Sequence, residues 1–83
     1  RYILNKNHDK IELVRIPVRE KCKHINKKLR NIDLPLESVL VTILRGDESL
    51  VPRGDSIIKK DDLLVALTRR EYKEELIKMF GGG

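Results

Sequence analysis

Val39–Thr68 reads VLVTILRGDESLVPRGDSIIKKDDLLVALT. An apolar run from Val39 to Leu44 ends in Arg45-Gly46-Asp47, and a short run from Ser49 to Val51 is closed by Pro52. Ile57 and Ile58 then point back to a core, Lys59 to Asp62 make a further turn, and Leu63 to Leu67 form a last run. Short apolar and β-branched runs bounded by Gly, Pro and Asp predict strands joined by tight polar turns. Val39–Leu44 is apolar on both faces except at Thr42, as an interior strand would be. Arg53-Gly54-Asp55 spells the cell-adhesion tripeptide, but in this setting it reads as a turn, with Gly54 supplying backbone freedom.

On the N-terminal side, Val14, Ile16 and Val18 alternate with Leu13, Arg15 and Pro17, which predicts a strand over Lys10–Val18. Pro17 cannot donate a ladder hydrogen bond, so that strand belongs at an edge or ends there. Cys22, Ile25, Leu29 and Ile32 are spaced as one stripe of a helix over Glu20–Ile32, with Lys21, Lys23, Lys27, Lys28 and Arg30 covering the rest. Asp33-Leu34-Pro35 ends it, because the residue before a proline is pushed out of the α region. On the C-terminal side, Thr68-Arg69-Arg70-Glu71 has the form of a capping box. The helix after it carries Tyr72, Leu76, Met79 and Phe80 on one face.

The fold class expected is α+β: a small, mainly antiparallel sheet with two helices in the order β-α-β-β-β-α. Residues 1–9 read as a connector, with Tyr2, Ile3 and Leu4 available to pack on a neighbour. Residues 10–80 make one domain and residues 81–83 a flexible glycine tail. The start at Arg1 without Met and the terminal glycines suggest a piece of a longer polypeptide.

Composition narrows the class. A chain of 83 residues buries only about 60% of its unfolded surface, so its core is thin and a partner surface would help. Tyr2, Tyr72 and Phe80 are the only aromatics, which leaves the core to Ile, Leu and Val. No apolar stretch approaches the ~20 residues that span a bilayer, and no secretory leader pattern opens the chain. Cys22 is the only cysteine, so an internal disulfide and a Cys-rich zinc site are excluded and a cytosolic setting fits best.

Catalytic and metal-binding readings find no residues. His8 and His24 lie far apart without clustered carboxylates, Cys22 reads as a small core residue, and Glu12, Asp33 and Asp55 are isolated. No G-x-G-x-x-G loop is present. The expectation is no enzyme, no metal and no resident cofactor. The net charge of +5 concentrates between Arg1 and Ile32. That basic surface reads first as a solvated face. Nucleic acid is not the expected partner, because stacking aromatics are missing beside the charge. An anionic ligand or acidic partner remains.

Four motifs in order resemble the TrkA/RCK C-terminal domain family from about Lys10 to Phe80. They are the exit Ile32-Asp33-Leu34-Pro35, the strand and turn Val39–Gly46, the element Leu50-Val51-Pro52-Arg53-Gly54-Asp55-Ser56, and Lys60-Asp61-Asp62-Leu63-Leu64. Asp61 stands where the family commonly has glycine; Asp tolerates left-handed backbone better than most residues. The resemblance implies a TrkA-C-like fold that forms a homodimer and regulates an ion transport system, most naturally potassium uptake or a potassium channel. It further implies a cytoplasmic place at the inner face of the membrane, through a channel or transporter subunit. Related domains belong to CLC-type chloride channels and cation/proton antiporters, and a purely structural dimerisation domain is the alternative without a ligand. Some members bind cyclic di-AMP, a nucleotide effector. By that likeness the ligand-binding candidates are Leu29, Arg30, Ile32, Leu34, Pro35, Pro52 and Arg53. Pro35 lies near the family's Arg, and Ser38-Val39 near its Asn. Arg30 and Arg53 are the substitutes for an anion contact, since a guanidinium pairs with phosphate in a bidentate way.

Overall fold

The computed structural model describes residues 10–82. Four strands, β1 (Ile11–Pro17), β2 (Ser38–Arg45), β3 (Glu48–Leu50) and β4 (Leu63–Arg69), precede one helix, α1 (Lys73–Met79). The strands form a single antiparallel sheet in the order β1-β4-β2-β3. The expected α+β class and antiparallel sheet are both present. So is the edge position of β1, which stops at Pro17.

The rows of the sheet explain its two faces. Val14, Ala66 and Leu40 lie side by side on β1, β4 and β2, as do Ile16, Leu64 and Ile43. These rows face α1 and the loops, where Val18, Cys22, Ile32, Ile58, Leu76 and Phe80 complete the core. Phe80 is fully buried just beyond α1, so a single aromatic from the chain's end fills the centre of a mainly aliphatic core. On the opposite rows, Ile11 stands beside Arg69 and Leu13 beside Leu67 and Val39, and the four apolar side chains there are exposed. Val39 is 61% exposed, so β2 is interior in the sheet yet uncovered on one side. A register shift between Leu40 and Thr42 places a bulge at Val41. The Thr42 hydroxyl then donates to the Leu50 carbonyl at 3.0 Å and holds the short edge strand.

The helix expected over Glu20–Ile32 does not form. That segment is a series of turns with one 3-10 turn at Leu29–Asn31. Its apolar stripe is nonetheless correct in burial: Cys22 and Ile32 are core, and Ile25 and Leu29 pack against it. The reason is backbone competition. Asn26 takes a left-handed φ of 71°, and the amides of Asn26, Leu29 and Arg30 donate to the carbonyls of Ile58, Ser56 and Gly54 at 2.7, 2.9 and 2.9 Å. Those amides are satisfied by a facing chain, so a helical ladder is not needed. A spacing of three and four marks which residues face inward but does not fix the conformation that delivers them.

The capping box is also absent. Thr68 belongs to β4, where its hydroxyl lies 2.7 Å from that of Ser38, and no side chain caps α1. β4 therefore runs on to Arg69, past the Leu67 expected, and a 3-10 turn at Arg70–Tyr72 leads into α1. Glu12 ties the two together, accepting from Arg70 Nε at 2.6 Å and Lys73 Nζ at 3.3 Å. At the other end of α1, Gly81 has φ 92°, and the Gly81 and Gly82 amides donate to the carbonyls of Lys78 and Ile77. A Cβ on Gly81 would stand 2.8 Å from Arg19 Cβ. These two glycines close the helix against the loop after β1 rather than trailing from it. The connector 1–9, with His8, lies outside the described residues.

Candidate functional site

Arg45, the last residue of β2, turns inward to Asp62, which is 1% exposed. Its Nε and Nη2 donate to the two carboxylate oxygens at 2.8 Å each, and Nη2 also donates to the Ile57 carbonyl at 2.8 Å. The Lys59 amide donates to Asp62 as well, at 2.9 Å. This bidentate pair is fully provided with partners, the condition under which a buried carboxylate is tolerated. The Asp62 hydrogen bond, chiefly, holds the Arg45 guanidinium above its ordinary range. The pair anchors Ile57–Asp62, and Asp61 makes the bend with φ 71°, the left-handed backbone that glycine commonly supplies at this position in the family and that Asp tolerates.

The segment just before that anchor builds a groove. Lys28 and Ile57 form an antiparallel bridge, and the Ile58 amide donates to the Lys27 carbonyl at 3.1 Å. Residues 26–30 and 54–58 therefore run as a narrow ribbon across the open end of the sheet. Arg53 opens a turn in which its amide donates to the Ser56 hydroxyl at 2.9 Å and its carbonyl accepts from the Ser56 amide at 3.0 Å. Arg30 Nε leans on the Gly54 carbonyl at 3.4 Å. Between ribbon and sheet lies a groove of about 270 Å³ lined by Leu29, Arg30, Leu34, Leu40, Pro52, Arg53 and Gly54.

Five of the seven ligand-binding candidates therefore converge: Leu29, Arg30, Leu34, Pro52 and Arg53. Ile32 and Pro35 do not line the groove; both are buried, and Ile32 is a core residue. Leu40 and Gly54 were missed. Leu40 carried a signal, since it alternates with the outward-facing Val39 on β2. Gly54 did not, because it enters through its carbonyl. Nor does Gly54 supply left-handed backbone: the positive-φ glycines are Gly46 and Gly81. A floor of Leu29, Leu34, Leu40 and Pro52 with guanidiniums at the rim suits a ligand that is both anionic and apolar-bodied. Among the described residues, no group of three or more His, Cys, Asp and Glu is placed to hold a metal ion. No helix among them is long and apolar enough to cross a membrane.

Residues 13–81 match the model of the TrkA-C domain. The chain belongs to the TrkA-C family. It is 34% identical over 67 residues to the Trk system potassium uptake protein TrkA of Mycobacterium tuberculosis, covering 81% of this chain and 30% of that protein. It is 32% identical over 56 residues to a Trk system potassium uptake protein TrkA homolog of Archaeoglobus fulgidus, covering 68% of this chain and 13% of the relative. The chain thus spans less than a third of these relatives' length. A solved structure described as an RCK domain with cda superposes with a TM-score of 0.75 at 32% identity, covering 82% of this chain and 96% of that one. The expected TrkA-C-like fold is shown.

Proposed function

We propose that this TrkA-C domain is the effector-binding and self-associating part of a regulator of potassium uptake, acting in the cytoplasm on a membrane transporter and catalysing no reaction. The observation that carries the reading is the Arg30–Arg53 groove, in a chain whose family relatives are Trk system proteins. The ligand class that fits is a small phosphorylated effector, cyclic di-AMP being the first to test. Guanidiniums would meet its phosphates and the Leu29, Leu34, Leu40 and Pro52 floor its flat bases.

Self-association is supported by the uncovered side of the sheet. Ile11, Leu13, Val39 and Leu67 are all exposed there in adjoining rows. Such a band amounts to on the order of 1,000 Å² when two copies pair, near the lower bound of stable interfaces. Two-fold pairing is the commonest way to cover one. Regulation then follows by population shift: an effector with different affinity for two arrangements of the pair favours one of them, by no more than that difference.

Thermal unfolding with a panel of cyclic dinucleotides and mononucleotides tests the ligand. At a hundred times Kd a native-state ligand stabilises by about 2.7 kcal/mol, roughly 10–20 °C for a domain this small. Arg30→Ala with Arg53→Ala should abolish the shift. Sedimentation should give a dimer that Leu67→Glu dissociates. A monomer at millimolar concentration that no panel member stabilises would overturn the reading.

A further inference from the structure

His24 stands apart from every interaction described so far. It is half-buried in the turn after Cys22, with its ring tilted 58° against Phe80 at 5.8 Å between centroids. Its Nδ1 is out of contact with solvent and has no hydrogen-bond partner among the described residues. The backbone around it is committed: the His24 amide donates to Cys22 Sγ at 3.3 Å, and the His24 carbonyl accepts from the Lys27 amide at 3.1 Å. The end of α1 presents to this turn the apolar Phe80 ring and the Met79 carbonyl, which the Cys22 thiol approaches at 3.7 Å. Among the described residues, the charged groups acting on the imidazole are the Lys27 and Lys23 ammoniums, with no carboxylate to offset them.

A neutral imidazole can leave one nitrogen without a donor's obligation. An imidazolium has N–H on both nitrogens and must find an acceptor for each. Nδ1–H would have none. Burial first, and then Lys27 and Lys23, accordingly push His24 below its ordinary value of 6.5. The turn it sits in feeds directly into the groove wall. Asn26 is held in left-handed backbone by its bond to the Ile58 carbonyl, and Leu29 and Arg30 follow within one turn.

We propose that His24 is a proton-operated latch between the end of α1 and the wall of the groove. Neutral, it seats on Phe80 and keeps Cys22–Lys27 in place. Protonated, it leaves that seat and loosens the Asn26–Arg30 strip from Ser56–Ile58. The folded domain binds this proton less tightly than the unfolded chain. The latch therefore contributes its full stability above about pH 6.5, and loses it as pH falls through the folded-state value. Any consequence for regulation rests on the groove being the effector site; the latch itself does not.

The test is a pH titration of the full chain from 7.5 to 4.5 by NMR, with His8→Gln removing the other imidazole. The His24 ring should titrate below 6.5, and the amides of Asn26, Lys27, Arg30, Ser56 and Ile58 should shift with the same midpoint. Those of Val14 and Ala66 should not follow. His24→Phe keeps an aromatic against Phe80 without the orphaned nitrogen. It should lose the transition, match the parent's melting temperature at pH 7.5 and exceed it at pH 5. A ring titrating at or above 6.5, or groove amides indifferent to its midpoint, overturns the latch. The parent titration decides the matter even if the variant fails to fold. None of these readouts needs a bound effector, so an empty groove and an immobile latch are separate results.

Discussion

The chain contains Arg-Gly-Asp twice, and the two copies do opposite work. Arg45-Gly46-Asp47 closes the β2–β3 hairpin: Gly46 takes φ 59°, Arg45 pairs across to Glu48 in the ladder, and the Arg45 side chain is locked on Asp62. Arg53-Gly54-Asp55 sits in a loop whose glycine keeps to negative or extended φ. Its arginine is exposed at the rim of the groove, and its guanidinium has no side-chain partner among the described residues. Identical tripeptides diverge because of what stands across from them. A buried carboxylate faces the first, and an apolar trough opens beside the second. An arginine with its charge already satisfied supports a structure; one left in solvent beside an apolar floor is available to an anion.

Removing the partner of the first arginine is the severest way to break this contrast. Asp62→Ala should cost about 2–4 kcal/mol, less than the full loss for a wholly buried pair because the Arg45 left behind is one-third exposed. That is a large share of the stability of a domain this size, and urea denaturation reads it directly. The glycines come next. Gly46→Ala forces a side chain into left-handed backbone and should cost about 1–2 kcal/mol. Gly54→Ala should stay within about 0.5 kcal/mol, because its Cβ would meet Arg30 Cβ at an ordinary 3.7 Å. Equal losses at the two glycines would erase the distinction. The smallest effect on stability belongs to Arg53→Ala, again within about 0.5 kcal/mol, although it should remove the effector-induced thermal shift. A large loss of stability there would mean that Arg53, like Arg45, is structural.

A pH arm sharpens the same picture away from both tripeptides. Hydrogen bonds from Arg70, first, and Lys73 lower the Glu12 pKa below 4.5. The tie between β1 and the start of α1 is thus present above about pH 4.5 and is lost as pH falls through the lowered value. Glu12→Gln should flatten that acid limb, measured by melting temperature between pH 5 and 3. It should leave the His24 transition untouched, since the two sit on different elements.

Much of the candidate site was legible only through the family resemblance, which rests on short motifs in order. Pro52 and Arg53 follow a strand of three residues, and Leu29, Arg30 and Leu34 follow an inward-facing stripe, so their neighbourhood could be anticipated from motif order. Ile32 and Pro35 lie buried outside the groove, a distinction the sequence does not carry because burial and lining look alike there: both are apolar residues at a turn. The helix over Glu20–Ile32 was misjudged for a related reason. Its spacing was real, but the acceptors of the Asn26, Leu29 and Arg30 amides are Ile58, Ser56 and Gly54, far along the chain.

What the sequence determined by itself is what a few neighbouring residues decide. β1 ends at Pro17 and β3 stops short of Pro52, turns form at Gly46 and Asp61, and alternation sends Val14 and Ile16 inward. The tertiary structure alone decided which partner each polar group found: Asp62 for Arg45, the Ile58, Ser56 and Gly54 carbonyls for the Asn26, Leu29 and Arg30 amides, and, among the described residues, none for His24 Nδ1. Hydrogen-bond partners distant in sequence are chosen by the packing of the whole chain, and no local pattern records that choice.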